Sequence, residues 1–138
     1  MAKEFELKVE SKLENLNRIN EFITESMIHY NILNSKDIYA VQLSVEEAFT
    51  NIIKHAYSNK DEDMIIIRCI LSKLGNKFII NIMDWGKAFD PSMMPKPDTE
   101  SSLKERKVGG LGLFFMRKFM DEVEYVRKKD MNLLIMAK

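Results

Sequence analysis

A chain of 138 residues, 46% hydrophobic and 30% charged, has the composition of one ordinary globular domain with room for a sizeable core, not of a disordered segment. Its 21 Lys+Arg against 21 Asp+Glu give a formal net charge of zero, which argues against direct non-specific nucleic-acid binding, since that needs a basic footprint. Cys69, the single cysteine, excludes an internal disulfide and a cysteine-based zinc site and predicts a reduced, cytoplasmic compartment; the N-terminal Met1 to Phe5 lacks the apolar segment expected of a signal peptide, and no apolar run nears the roughly 20 residues of a membrane helix.

Phe5, Leu7 and Val9 alternate with Glu4, Glu6, Lys8 and Glu10, the period of a strand with one wet face. Ser11 and Glu14 have the spacing of a capping box. Leu13, Leu16, Ile19, Ile23 and Met27 follow at helical spacing and predict a first helix to about Leu33. Asn34-Ser35 breaks it, and Ser35 or Asp37 is placed to cap a second helix that continues through residues 41–57, with Val41, Val45, Ala48 and Ile52 on its apolar face. The β-rich runs 64–71 and 78–83 flank Leu74-Gly75-Asn76 as a hairpin. Periodicity is lost over residues 86–108, where all three prolines lie; a loop of that length is usually functional or disordered. Residues 110–120 read as a third helix entered through glycines. Residues 123–126 and 133–136 read as two closing strands around Lys128-Lys129-Asp130. The order is β-α-α-β-β-loop-α-β-β.

Residues four apart share a helix face, so Glu47, Asn51 and His55 form a polar stripe flanking the apolar one. A carboxylate and an amide oxygen one turn apart suit a proton acceptor beside a hard cation, or are a solvated helix flank with a structural histidine. Asp84 ends an apolar strand, where its carboxylate can accept from an exocyclic amine and select adenine, or ends that strand in solvent. Gly86 permits φ > 0 and close approach to a ligand, or makes an ordinary turn. Gly109-Gly110-Leu111-Gly112 opens a helix whose free amides favour phosphate, or forms a tight connection. No Gly-Lys-Ser/Thr follows, as a P-loop requires, and no third glycine sits at the Rossmann spacing.

Glu47-x-x-x-Asn51, Asp84-x-Gly86 and Gly110-x-Gly112 stand in the order found in the gyrase/histidine-kinase ATPase superfamily. The chain resembles most closely the branch of anti-sigma-factor serine/threonine kinases. Glu47 through Tyr57 is similar to that branch's N-box, and Phe89-Asp90-Pro91, Gly109 through Phe114 and Met120-Asp121-Glu122-Val123 are similar to its later signatures. The resemblance covers nearly the whole chain. It implies an α/β fold, a two-layer sandwich with a mixed, mainly antiparallel sheet and helices on one face, in a single domain over 1–138 with an ATP lid at about 86–108. It implies ATP and Mg²⁺ as cofactors. Asn51 would hold the metal, and Glu47 would be the general base on an incoming serine hydroxyl. Asp84 would read the adenine amine with Gly86 allowing close approach, and Gly109, Gly110 and Gly112 would bind the phosphates. It further implies a homodimer that sequesters a sigma factor and phosphorylates a serine of an anti-anti-sigma protein with a STAS-like fold.

Where the superfamily often has a second glycine two residues after Gly86, this chain has Ala88. A histidine kinase would also need a phospho-accepting helical region, for which 138 residues leave no room. A reading of another class stands beside the kinase: a non-catalytic nucleotide-binding partner-switch module that sequesters a regulator. Glu47 favours the former, and Ala88 keeps the latter open.

Overall fold

The structure, a computed structural model, describes residues 4–57, 63–88 and 116–138. Strand β1 (Phe5–Glu10) leads through a 3₁₀ turn (Leu13–Asn15) into helix α1 (Leu16–His29), followed by helix α2 (Ser35–Asn51) and a π-helical turn (Ile52–Ala56). Strands β2 (Met64–Leu71), β3 (Phe78–Asp84), β4 (Glu122–Lys128) and β5 (Met131–Ala137) complete the described elements. Residues 116–119 are helical, the described part of the third helix expected over 110–120.

Local chemistry explains the helix ends and corrects three expectations. The capping box does not form: Ser11 instead exchanges bonds with Asp63, donating its N–H to the Asp63 carbonyl at 2.8 Å and accepting the Asp63 N–H on Oγ at 3.2 Å. Helix α1 stops at His29 and not near Leu33, because Asn31 turns left-handed at φ 63°. Asn31 N–H then bonds the Ile28 carbonyl and Ile32 N–H the Met27 carbonyl, each at 2.9 Å, which is the Schellman pattern. Helix α2 is capped by Asn34, not by Ser35 or Asp37: its Oδ1 accepts from Lys36 N–H at 2.9 Å and Asp37 N–H at 3.2 Å.

The five strands lie in the order β1-β2-β3-β5-β4 and every described pairing is antiparallel. The β2–β3 turn carries Gly75 at φ +73°, the left-handed geometry a tight hairpin requires. Alternation along the strands separates two faces. Val9, Ile65, Ile67, Cys69, Phe78, Ile80, Ile82, Leu134 and Met136 are buried on one, in a single cluster with Ile19, Ile23 and Met27 of α1 and Val41, Val45, Ala48 and Phe49 of α2. The helices therefore cover that face, giving the two-layer α/β sandwich. On the other face Ile66, Ile70, Ile79, Leu133 and Ile135 stay partly exposed. The outer strands β1 and β4 carry Glu6, Lys8 and Glu10, and Glu122, Glu124, Arg127 and Lys128. No helix among the described residues is long and apolar enough to cross a membrane.

Candidate functional site

Two elements deliver the central polar pair. Asp84 is the last residue of β3 and Asn51 the last of α2, and each is only 3% exposed. They share a small pocket walled by Ala48, Ile52, Leu134 and Tyr125, with Asn132 also in its lining. Apolar walls with a few converging polar groups are the usual make-up of a small-molecule site.

A buried carboxylate needs hydrogen bonds. Asp84 Oδ1 accepts from the Gly86 N–H at 3.0 Å and from Asn132 Nδ2 at 2.8 Å. Oδ2 has no protein partner among the described residues and is the acceptor left for a ligand. Burial pushes the Asp84 carboxyl above its usual range, against the Asn132 amide, the Gly86 N–H and the Arg127 charge, which hold it down. Asn132 is itself fully engaged: Nδ2 also donates to the Lys87 carbonyl at 2.9 Å, while Oδ1 accepts from the Tyr125 hydroxyl at 2.5 Å and from Arg127 Nη1 at 2.9 Å.

Asn51 contrasts with this. Its Nδ2 is buried without a hydrogen-bond partner among the described residues. An orphaned amide in a polar-floored pocket is the group a ligand would satisfy. Mg²⁺ takes hard oxygen ligands and is held through few protein groups plus substrate phosphates, so of the Asn51 amide only Oδ1, not the orphaned Nδ2, could serve it. Among the described residues no cluster of three or more His, Cys, Asp or Glu could hold a metal by itself.

The helix changes pitch at this point. The Tyr57 N–H reaches back to the Ile52 carbonyl at 3.0 Å, an i→i+5 bond. Such π turns are rare and recur at functional sites. The expected Glu47/Asn51/His55 stripe therefore ends at Asn51, because a π turn does not stack residues four apart. Asn51 is buried and not at a rim. Glu47, one α-helical turn earlier, is half-buried and outside the pocket lining. Burial raises its carboxyl above the usual range, the neighbouring Glu46 charge adds to this and Lys54 opposes it.

Gly86 packs tightly against protein backbone. Its φ is not left-handed. A Cβ there would lie 2.5 Å from the Ala56 carbonyl oxygen and 2.8 Å from Tyr57 Cδ1, so the close approach is to the end of the π turn. Lys87 N–H caps the same carbonyl at 2.9 Å. Tyr57 completes the brace: its hydroxyl accepts the Trp85 N–H and donates to the Met64 carbonyl, both at 2.8 Å. Trp85 is 41% exposed and does not line the pocket. His29 packs edge-on against Phe5 and Tyr30. Gly109, Gly110 and Gly112, with residues 89–108 of the expected lid, lie outside the described residues.

Sequence reasoning missed Asn132, Tyr125, Arg127 and Tyr57. Asn132 left one readable signal: it has the same parity as the inward-facing Leu134 and Met136, a polar residue at a core position. Nothing in the sequence marks Arg127.

Comparison with known proteins fits this geometry. The serine-protein kinases RsbW of Staphylococcus aureus strains MRSA252 and Newman are 34% and 33% identical to this chain over 101 residues. The match covers 70% of this chain and 63% of those proteins, so the chain spans less than two thirds of the length of the curated relatives it matches. A crystal structure of the RsbU and RsbW domains of a Mycobacterium tuberculosis protein superposes over 98% of this chain and 32% of that one, with TM-score 0.68 at 11% identity, a likeness of fold. The description of the histidine kinase-like ATPase domain matches residues 9–138, and with the Asn51/Asp84 pocket on an antiparallel sheet the chain belongs to that family.

Proposed function

We propose that this protein is an ATP-dependent serine protein kinase and anti-sigma factor, transferring the γ-phosphate of Mg-ATP to a serine of a STAS-like anti-anti-sigma protein and sequestering a sigma factor. The observation that carries the nucleotide reading is the pocket in which Asp84, held on one oxygen, faces the orphaned Asn51 amide. The relatives named serine-protein kinases support the reaction.

Asp84 Oδ2 would accept the adenine amine. Gly109, Gly110 and Gly112 would donate backbone N–H groups to the phosphates, and residues 86–108 would close as a lid. Asn51 would hold Mg²⁺, which when bound neutralises phosphate charge. Glu47 would take the serine proton as the hydroxyl oxygen bonds the γ-phosphorus and the bond to the β,γ-bridging oxygen breaks, leaving phosphoserine and ADP. A carboxyl raised by burial is suited to accept that proton near neutral pH.

The cytoplasm is the compartment that a lone buried cysteine fits. The partly exposed Ile66, Ile70, Ile79, Leu133 and Ile135 support a homodimer formed through the sheet face away from the helices. Single-turnover transfer from labelled ATP to a STAS-like partner tests the function. Binding of both without transfer would favour the sequestering module instead.

A further inference from the structure

Arg127 sits on the outer strand β4, yet its guanidinium reaches the segment after β3. Nη1 donates to the Gly86 carbonyl and to Asn132 Oδ1, both at 2.9 Å, and Nε donates to the Lys129 carbonyl at 3.0 Å. Tyr125, two residues earlier, donates its hydroxyl to the same Asn132 Oδ1.

These two donors decide which way round the Asn132 amide lies. A carboxamide keeps its shape when turned by half a rotation, with donor and acceptor exchanged. With Oδ1 occupied by two donors, Nδ2 faces Asp84 Oδ1 and the Lys87 carbonyl, two acceptors. The reversed amide would oppose oxygen to oxygen on one side and donor to donor on the other. Through Asn132 and through the Gly86 carbonyl, Arg127 thus acts on the carboxylate without touching the pocket itself.

We propose that Arg127 is a positioning residue for base selection: it locks the Asn132 amide and the Gly86 carbonyl so that Asp84 presents only an acceptor oxygen to a bound purine, favouring a 6-amino over a 6-oxo group. This rests on the nucleotide reading above. Without the guanidinium, Tyr125 alone holds the amide. A reversed amide sets Oδ1 against Asp84 and favours a proton on that carboxyl, which then also offers a donor to a 6-oxo group.

Calorimetric titration with ATP and with ITP, which differ in the 6-substituent and in the proton that the 6-oxo form carries on N1, tests this on wild type, Arg127→Ala, Arg127→Lys and Lys128→Ala, with circular dichroism to check the fold. The wild type should prefer ATP. Arg127→Ala should lose about tenfold of the ATP:ITP affinity ratio, the scale of one charge-assisted hydrogen bond. Arg127→Lys should recover part of it, since an ammonium lacks the planar fork. Lys128→Ala removes the same charge on the opposite strand face and should keep the wild-type ratio. A merely structural role would weaken both nucleotides together. An unchanged ratio in Arg127→Ala overturns the inference and leaves the nucleotide reading intact, whereas a wild type that binds neither nucleotide overturns both. Should Arg127→Ala not fold, Arg127→Lys and Tyr125→Phe, which removes the second donor, carry the same ratio test: a ratio unchanged in both would likewise overturn it.

Discussion

Asp84 and Asn132 are direct cross-strand partners in the β3–β5 ladder, and the Asn132 amide donates to the Asp84 carboxylate at 2.8 Å. Register alone brings the two together, so the pocket floor is a property of the sheet and does not depend on a loop.

Asp84→Asn should keep the fold and turn the purine preference around. The new amide oxygen can take both existing donors, and its NH₂ then faces the pocket where an acceptor stood. ATP affinity should fall about tenfold or more and ITP affinity should rise, read by calorimetry. The pH dependence has a definite sign. Burial raises the folded pKa of Asp84 above its usual 3.8, so its contribution favours the folded state at low pH and is lost as pH rises through the folded value. The asparagine variant is spared that loss. Its melting temperature relative to wild type should be most favourable near neutral pH, and this advantage should shrink on acidification through the folded Asp84 pKa; a constant difference would refute the assignment.

Gly86→Ala should destabilise the domain, because the added Cβ meets the Ala56 carbonyl oxygen at 2.5 Å and its carbon at 2.7 Å. Backbone atoms give way less easily than a flexible side chain. A loss of about 1–3 kcal/mol is the usual scale of such crowding, or roughly 4–10 °C in Tm. Differential scanning calorimetry would measure it, and an unshifted transition would mean that β3 and the π turn are not packed as described.

Asn51→Ala should separate stability from binding. Nδ2 makes no hydrogen bond among the described residues, so its removal should change stability by less than about 1 kcal/mol. Mg-dependent ATP affinity should nevertheless drop about tenfold or more. Titration with and without Mg²⁺ checks it; equal Mg-dependence in variant and wild type would remove Asn51 from the metal site.

Glu47→Gln should lose serine phosphorylation by roughly 10²–10⁴-fold with ATP binding largely kept. The Glu46 charge helps hold the Glu47 pKa up, so Glu46→Gln should lower it. With Glu47 as the proposed base, transfer would need its ionised form and should fall as pH drops through its pKa. In Glu46→Gln that acid limb should therefore move to lower pH with the plateau rate little changed. An acid limb that stays in place would show that Glu47 does not set it.

The strands were readable because period-two alternation survives where one face is buried, as in Ile65, Ile67 and Cys69. Asp84 and Asn51 were readable as a pair through motif order, and the sheet and helix bring both to one pocket. Asn34 was passed over as cap because Ser35 and Asp37 are equally good capping residues, and only backbone geometry separates them. The π turn was invisible, since Ile52 through Ala56 have no composition that distinguishes an i→i+5 from an i→i+4 bond. Gly86 was readable as a point of close approach, and the structure shows such an approach to the end of the π turn, which a glycine alone does not specify. Arg127 and Tyr125 act through Asn132, and a side chain working at one remove leaves no local pattern.

The two outer strands have a consequence for behaviour at high concentration. An open sheet ends in a row of unpaired amides and carbonyls that another chain can extend indefinitely. Here both rims are interrupted by charge: Glu6, Lys8 and Glu10 on β1, and Glu122, Glu124, Arg127 and Lys128 on β4. A strand arriving edge-on would have to strip water from those groups before it gained a ladder bond. Fibrillar growth from the folded state is thereby disfavoured at both ends of the sheet, and the apolar stripe of β2, Ile65 to Ile67, lies three strands from the outer strand β4 and is shielded by β1 on the other side.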